Sequence, residues 1–190
     1  WAVAHQTLVL FLILLLGGLA VLAGILAAVF AFTDSGGRIS SLVHDKKTTT
    51  VPNAAPVRLS GVGAYDPYGD QSEHDSAAGN ATDGNPGTFW NTEHYNGGLN
   101  KPGVGLVLDA GASKQVTQVA LQSGTPGFTA LIQSGSSASG PFTNVSPAQT
   151  VNTSATFRLN GKSARYYVVW ITNLGPNSSV EIDEVTAKGS

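Results

Sequence analysis

Apolar and polar positions along the chain follow two unlike patterns. From Thr7 to Phe32 there is no charged side chain and almost no polar one. Leu8 to Leu16 is unbroken, Gly17-Gly18 follows, and Leu19 to Phe32 is rich in Ala, Leu and Val. A helix needs about 20 apolar residues to cross a hydrocarbon core, and there its backbone must be satisfied internally. The pattern predicts one transmembrane helix within residues 1–32, spanning about 7–32. The run exceeds a secretory h-region, and no Lys or Arg precedes it.

After Pro56 the periodicity shortens. Gln115-Val116-Thr117-Gln118-Val119-Ala120-Leu121 alternates with period two, as does Ala155 to Leu159. Val104 to Leu108, Phe128 to Gln133 and Val180 to Ala187 are further strand-like runs, and Arg165 to Ile171 is almost wholly apolar or aromatic. Gly, Pro, Asn and Ser punctuate them, as in Leu174-Gly175-Pro176-Asn177-Ser178. Short strands with such punctuation predict an all-β sandwich or barrel over residues 57–190. Residues 33–56, with Thr48-Thr49-Thr50-Val51-Pro52, have no sustained period and read as a flexible linker.

Composition removes several classes of chemistry. There is no cysteine, hence no disulfide and no thiolate ligand. The formal charge is −2 and no basic stripe occurs, so no nucleic-acid partner is expected. Methionine is absent even at the first position, and the chain reads as a fragment whose start lies upstream. No nucleophile elbow, P-loop or His-Glu-x-x-His is present. The pairs His74/Asp75 and Glu93/His94 are the only conceivable acid–base partners, and no enzyme activity is expected.

The segment Ala81-Thr82-Asp83-Gly84-Asn85-Pro86-Gly87-Thr88-Phe89-Trp90 resembles the signature of discoidin-like domains, the coagulation-factor type C and galactose-binding-like modules. Val107-Leu108-Asp109-Ala110-Gly111, Gly140-Pro141-Phe142, Ala164-Arg165-Tyr166-Tyr167-Val168 and Ile182-Asp183-Glu184-Val185 follow in the order of that family. The resemblance implies an eight-stranded jelly roll, roughly five strands facing three. Tyr65 to Glu73, Trp90 to Tyr95 and Lys101 to Leu106 further resemble the exported tail of actinobacterial membrane kinase, pseudokinase or lipid-II-flippase-like proteins. That resemblance places the C-terminal domain outside a cell membrane on a single-pass anchor. The visible charges, Arg38, Lys46 and Lys47 after the apolar run, argue the opposite orientation.

In the resembled family the signature loop often wraps a structural Ca2+. Asp83, Asn85 and Thr88 supply the hard oxygens such an ion takes, and Glu184 matches the position that closes the site. Tyr65, Tyr68, Trp90, His94 and Tyr95 form the candidate aromatic set for a sugar, against a reading in which Trp90 packs into the sandwich rim. Asp66, Asp70, Glu73 and Asp75 read as a solvated acidic loop. The function expected is a membrane-anchored binding module for cell-envelope glycan or an envelope protein. The rival is an assembly domain that docks to cell-wall or division machinery without a small ligand. A weaker third reading is an accessory module of a wall hydrolase.

Overall fold

Strict alternation is clearest in the last strand, where Val185, Ala187 and Gly189 point inward and Thr186 and Lys188 outward. The computed structural model describes residues 54–190, and in them twelve strands and one 3-10 segment occur. β1 (Ala55–Val57), β12 (Glu184–Gly189), β5 (Val116–Gln122) and β9 (Ser154–Arg158) make a four-stranded sheet in that order. A six-stranded sheet runs β2 (Ser60–Tyr65), β4 (Val104–Lys114), β10 (Ala164–Asn173), β6 (Phe128–Gly135) and β7 (Thr143–Asn144), with β8 (Gln149–Val151) also on β6. β3 (Trp90–Asn91) and β11 (Glu181–Ile182) form a two-stranded patch. All these pairings are antiparallel.

The main core lies between the two large sheets. Leu106, Leu108, Phe128, Ile132, Tyr167, Val169 and Ile171 meet Val119, Leu121, Phe157 and Val185 there. β10 is apolar on both faces because its other face is also covered. Val168 and Trp170 form a second cluster with Val107 and Leu131, and Tyr65, Phe142 and Tyr166 pack against it. The segment after β6 brings Phe142 edge-on to the Tyr65 ring, centroids 4.8 Å apart, and Tyr65 lies 5.6 Å from Trp170. Gly103 permits this packing, since a Cβ there would collide with the Trp170 indole.

Three expectations are corrected. The eight-stranded, five-against-three arrangement becomes four strands against six plus a pair, because β3, β7 and β11 are two residues long and too short to show a period. The linker expected over 33–56 yields Ala55 and Pro56 to β1, which pairs with β12 in register Ala55↔Gly189 and Val57↔Ala187. Among the described residues no helix is long and apolar enough to cross a membrane. The architecture described is therefore the sandwich alone. The expected transmembrane segment over 7–32 lies outside the described residues, so single-pass attachment and outward placement at a cell membrane form no part of it.

The 3-10 segment, Asp75–Thr82, closes one sheet edge. Gly61 N–H donates to Thr82 Oγ1 at 3.0 Å and Ala64 N–H to Asp75 Oδ1 at 2.6 Å. Side chains thus take the amides that a further strand would use. Pro56 in the edge strand β1 lacks a donor altogether.

Candidate functional site

The registers Tyr65↔Gly105, Ile171↔Val104 and Glu184↔Gln122 gather the long connections at one end of the sandwich. A buried charged node organises them. Glu73 is wholly buried. Its carboxylate accepts the Glu93 N–H at 2.6 Å and the Tyr95 hydroxyl, and lies 3.2 Å from Lys101 Nζ. Lys101 Nζ also meets Asp66 Oδ1 at 2.6 Å and stands 4.9 Å from the centre of the Tyr95 ring. Trp90 Nε1–H donates to the Glu73 carbonyl at 2.6 Å. Burial pulls the Lys101 ammonium down, but the bonds to Asp66, Tyr95 and Glu73 outweigh it and hold it above the usual lysine range. Burial, reinforced by the bond to Glu73, pushes the Tyr95 phenol up.

This node corrects the reading of a solvated acidic loop. Asp66 and Glu73 are interior. Asp75 is exposed but committed to β2, and its carboxylate also accepts the Ser72 hydroxyl at 2.9 Å. Burial opposes its ionisation, yet the donors from Ala64, Ser72 and Glu73 hold it below the usual range. Asp70 is exposed, its Oδ1 accepting only the neighbouring Ser72 N–H at 3.1 Å. Two non-glycine residues of this stretch, Gln71 and His74, hold φ at 72° and 49°, in the left-handed region that non-glycine residues seldom adopt.

The aromatic set does not assemble. Trp90 is fully buried, which corrects its use as a stacking face. Tyr95 is packed against the main core and its hydroxyl is spent on Glu73. Tyr65 belongs to the second cluster. Tyr68, 62% exposed, and His94 remain open to solvent.

The signature loop closes on itself. Asp83 Oδ1 accepts Asn85 N–H at 2.8 Å and Oδ2 accepts the Thr88 hydroxyl at 2.8 Å. Asn85 Oδ1 takes Gly87 N–H at 3.1 Å, and Glu184 Oε2 takes Gly84 N–H at 2.9 Å across 100 residues of sequence. Asp83, Asn85, Thr88 and Glu184 are therefore neighbours. Burial raises the Glu184 carboxyl; the Gly84 N–H works against that, and the nearby Asp83 charge adds to the rise. The donor chemistry, two carboxylates with amide and hydroxyl oxygens, fits a hard cation. Among the described residues no group of three or more His, Cys, Asp or Glu is placed to hold a metal.

A second feature lies at the opposite end. A cleft of about 670 Å3 opens between the end of β6, β7 and the β9–β10 connection. Ser134, Thr143, Asn144, Asn160, Lys162 and Arg165 line it. Arg165 grips Asp109 through Nε at 3.0 Å and Nη2 at 2.9 Å. That bidentate contact holds the Asp109 carboxyl below its ordinary value. In the sequence this cleft leaves almost no trace. Its only signal was the polar run Asn160-Gly161-Lys162-Ser163 between two strands, which looks like any turn.

No family model and no curated protein matches the chain. Solved structures do match. Chitosan-binding module 1 from a chitosanase/glucanase of Paenibacillus sp. IK-5 superposes with a TM-score of 0.55 at 17% identity, covering 70% of this chain and 98% of that one. The family 32 carbohydrate-binding module of NanJ from Clostridium perfringens, solved with galactose, gives 0.53 at 20% identity, with 70% and 98% covered. CBM32-3 from a family 31 glycoside hydrolase of Clostridium perfringens gives 0.53 at 16%, with 70% and 92% covered. The domain has the fold of a carbohydrate-binding module. The likeness stops at the fold and does not reach the actinobacterial kinase, pseudokinase or flippase-like context expected from the sequence.

Proposed function

We propose that residues 54–190 form a non-catalytic docking module, an assembly domain that holds its chain against a macromolecular partner and grips no small neutral sugar. This replaces the membrane-anchored glycan receptor expected from sequence. One observation carries it: the side chains a sugar platform needs are used to build the fold, with Trp90 buried and Tyr95 tied to Glu73. Sugar sites typically combine an accessible aromatic face with a few polar groups, and Tyr68 stands exposed without such company. The similar modules named for galactose and chitosan define the competing ligands. Titration of the protein with galactose, N-acetylgalactosamine and chitosan oligosaccharides is expected to give no saturable heat. A saturating isotherm weakened by Tyr68→Ala would replace docking by small-sugar recognition. Crosslinking of the full chain, with and without residues 54–190, is expected to lose a partner on deletion.

Within this module Asp83, Asn85, Thr88 and Glu184 would hold a structural Ca2+. The ion would supply positive charge between two carboxylates and tie the signature loop to β12. The support is geometric: Glu184 reaches the loop through the Gly84 N–H at 2.9 Å, and Asp83 gathers Asn85 and Thr88 within it.

A further inference from the structure

The ionic side chains are sorted by end. One end carries the β4–β5 corner at Lys114–Val116, the start of β10 and the Ala55↔Gly189 pairing. The other carries the long connections described above. Of the ten carboxylate side chains in the described residues, nine lie at the loop end: four between Asp66 and Asp75, then Asp83, Glu93, Glu181, Asp183 and Glu184. The exception, Asp109, is bound by Arg165. Of the seven Lys and Arg, six lie at the opposite end and are exposed: Arg58, Lys114, Arg158, Lys162, Arg165 and Lys188. The exception, Lys101, is consumed by Asp66 and Glu73. So each minority charge is already neutralised within its own end.

Distance keeps the two fields apart. β5 has seven residues and β10 has ten. At about 3.3 Å per residue the ends stand roughly 25 Å apart. The Debye length is about 10 Å at 0.1 M salt. A partner at one end therefore meets the local sign and not the small net charge of the chain. The basic end also has a built cavity, since the cleft between β6, β7 and the β9–β10 connection opens there. Its polar lining is hydroxyl and amide, from Ser134, Thr143, Asn144 and Asn160, with no carboxylate; Lys162 is its uncommitted cation, and Arg165 is shared with Asp109. Two of the Arg165 nitrogens serve Asp109, which leaves Nη1 for a ligand.

We propose that the basic end docks an anionic glycan, a saccharide polymer bearing acidic groups, with one charged unit seated in the cleft. Hydroxyl and amide groups match sugar hydroxyls, and the cations beside them match the acid. An apolar peptide would need a larger greasy face than Val145 and Ala164 provide, and the recessed cleft suits a single saccharide unit better than the flat surface of a bilayer. The cations outside the cleft, Lys114 and Arg58 among them, would follow the polymer beyond its seated unit. This rests on the docking reading and names its partner.

The test uses the full chain with polygalacturonate, neutral dextran and phosphatidylglycerol vesicles. Binding to polygalacturonate is expected, falling steeply with added salt as counterion release requires, with none to dextran. Lys114→Glu with Lys162→Glu should weaken it by about tenfold or more through lost and reversed charge. Asn144→Ala with Asn160→Ala should weaken it by roughly threefold through lost hydrogen bonds. Asp70→Asn with Glu93→Gln should leave it unchanged. Unaltered melting temperatures serve as the folding check on each variant. Equal affinity in the Lys114/Lys162 variant, or equal retention on dextran, overturns the proposal. Vesicle binding that these reversals abolish, without polygalacturonate binding, overturns it in favour of a lipid surface. If polygalacturonate fails while deletion of 54–190 still removes a crosslinked partner, the glycan is wrong and docking stands.

Discussion

Glu73 shows how little a single residue's type reveals of its place. In the sequence it is one carboxylate among four in an acidic stretch, yet it has no solvent exposure and joins Trp90, Glu93, Tyr95 and Lys101. Glu73→Gln keeps the shape and removes the charge, leaving Lys101 with Asp66 as its one carboxylate. Breaking a buried charged partnership costs about 3 kcal/mol, and urea unfolding should show a loss of that order. Trp90→Phe should cost about 1–2 kcal/mol, from the lost indole hydrogen bond and the smaller ring. Tyr68→Ala should stay within about 0.5 kcal/mol, as exposed substitutions do; a larger loss would mean that Tyr68 packs in the folded state. Trp90 was legible both as a stacking face and as a residue packed into the sandwich rim, Tyr95 only as a candidate face. Aromatic side chains serve cores and ligands alike, and only the position of Glu73 decides between the two uses.

At the scale of elements, the 3-10 segment and the signature loop carry the testable chemistry. The Asp75 carboxyl is held below its ordinary value by donors that include the β2 edge. Its contribution to stability is therefore full above the unfolded value, about 3.9, and is lost as pH falls through the lower folded value. Asp75→Asn should flatten part of the acid limb of a stability–pH curve, while Asp109, shifted the same way, preserves the rest. Glu184 behaves oppositely. Its raised carboxyl makes ionisation a penalty in the folded state, relieved as pH falls through that raised value. Calcium should relieve the same penalty at neutral pH, raising the melting temperature against an EDTA control. Glu184→Gln should shrink that rise, and an unchanged melting temperature in wild type would remove the ion from the proposal. Phe142→Ala should uncover the second cluster, seen as a red shift of Trp170 emission in a Trp1→Phe, Trp90→Phe background.

For the whole molecule, the all-β class was readable because alternating runs such as Val116 to Leu121 are dictated by the pleat. Their pairing was not, since β5 joins β12 and β9 from far along the chain. Charge was likewise readable only as a total. A formal −2 says nothing of six exposed cations gathered at one end. Association with an anionic polymer should therefore depend on ionic strength although the chain is net acidic. An affinity indifferent to salt between 50 and 200 mM, the range over which phosphate-type contacts weaken sharply, would deny the basic end its role.

The sequence by itself determined what acts locally: short strands, turns, the absence of thiols, and the oxygen-rich loop from Asp83 to Thr88. Tertiary structure alone decided what depends on distant segments meeting. It buried Trp90 against the Glu73 carbonyl, covered the outer face of β10 with Tyr65 and Phe142, and made Ala55–Val57 a strand through β12. It also sorted the charges by end and opened the cleft beside β7. The physical reason is that burial and field are sums over neighbours in space, and in an antiparallel sandwich most of those neighbours are remote in sequence.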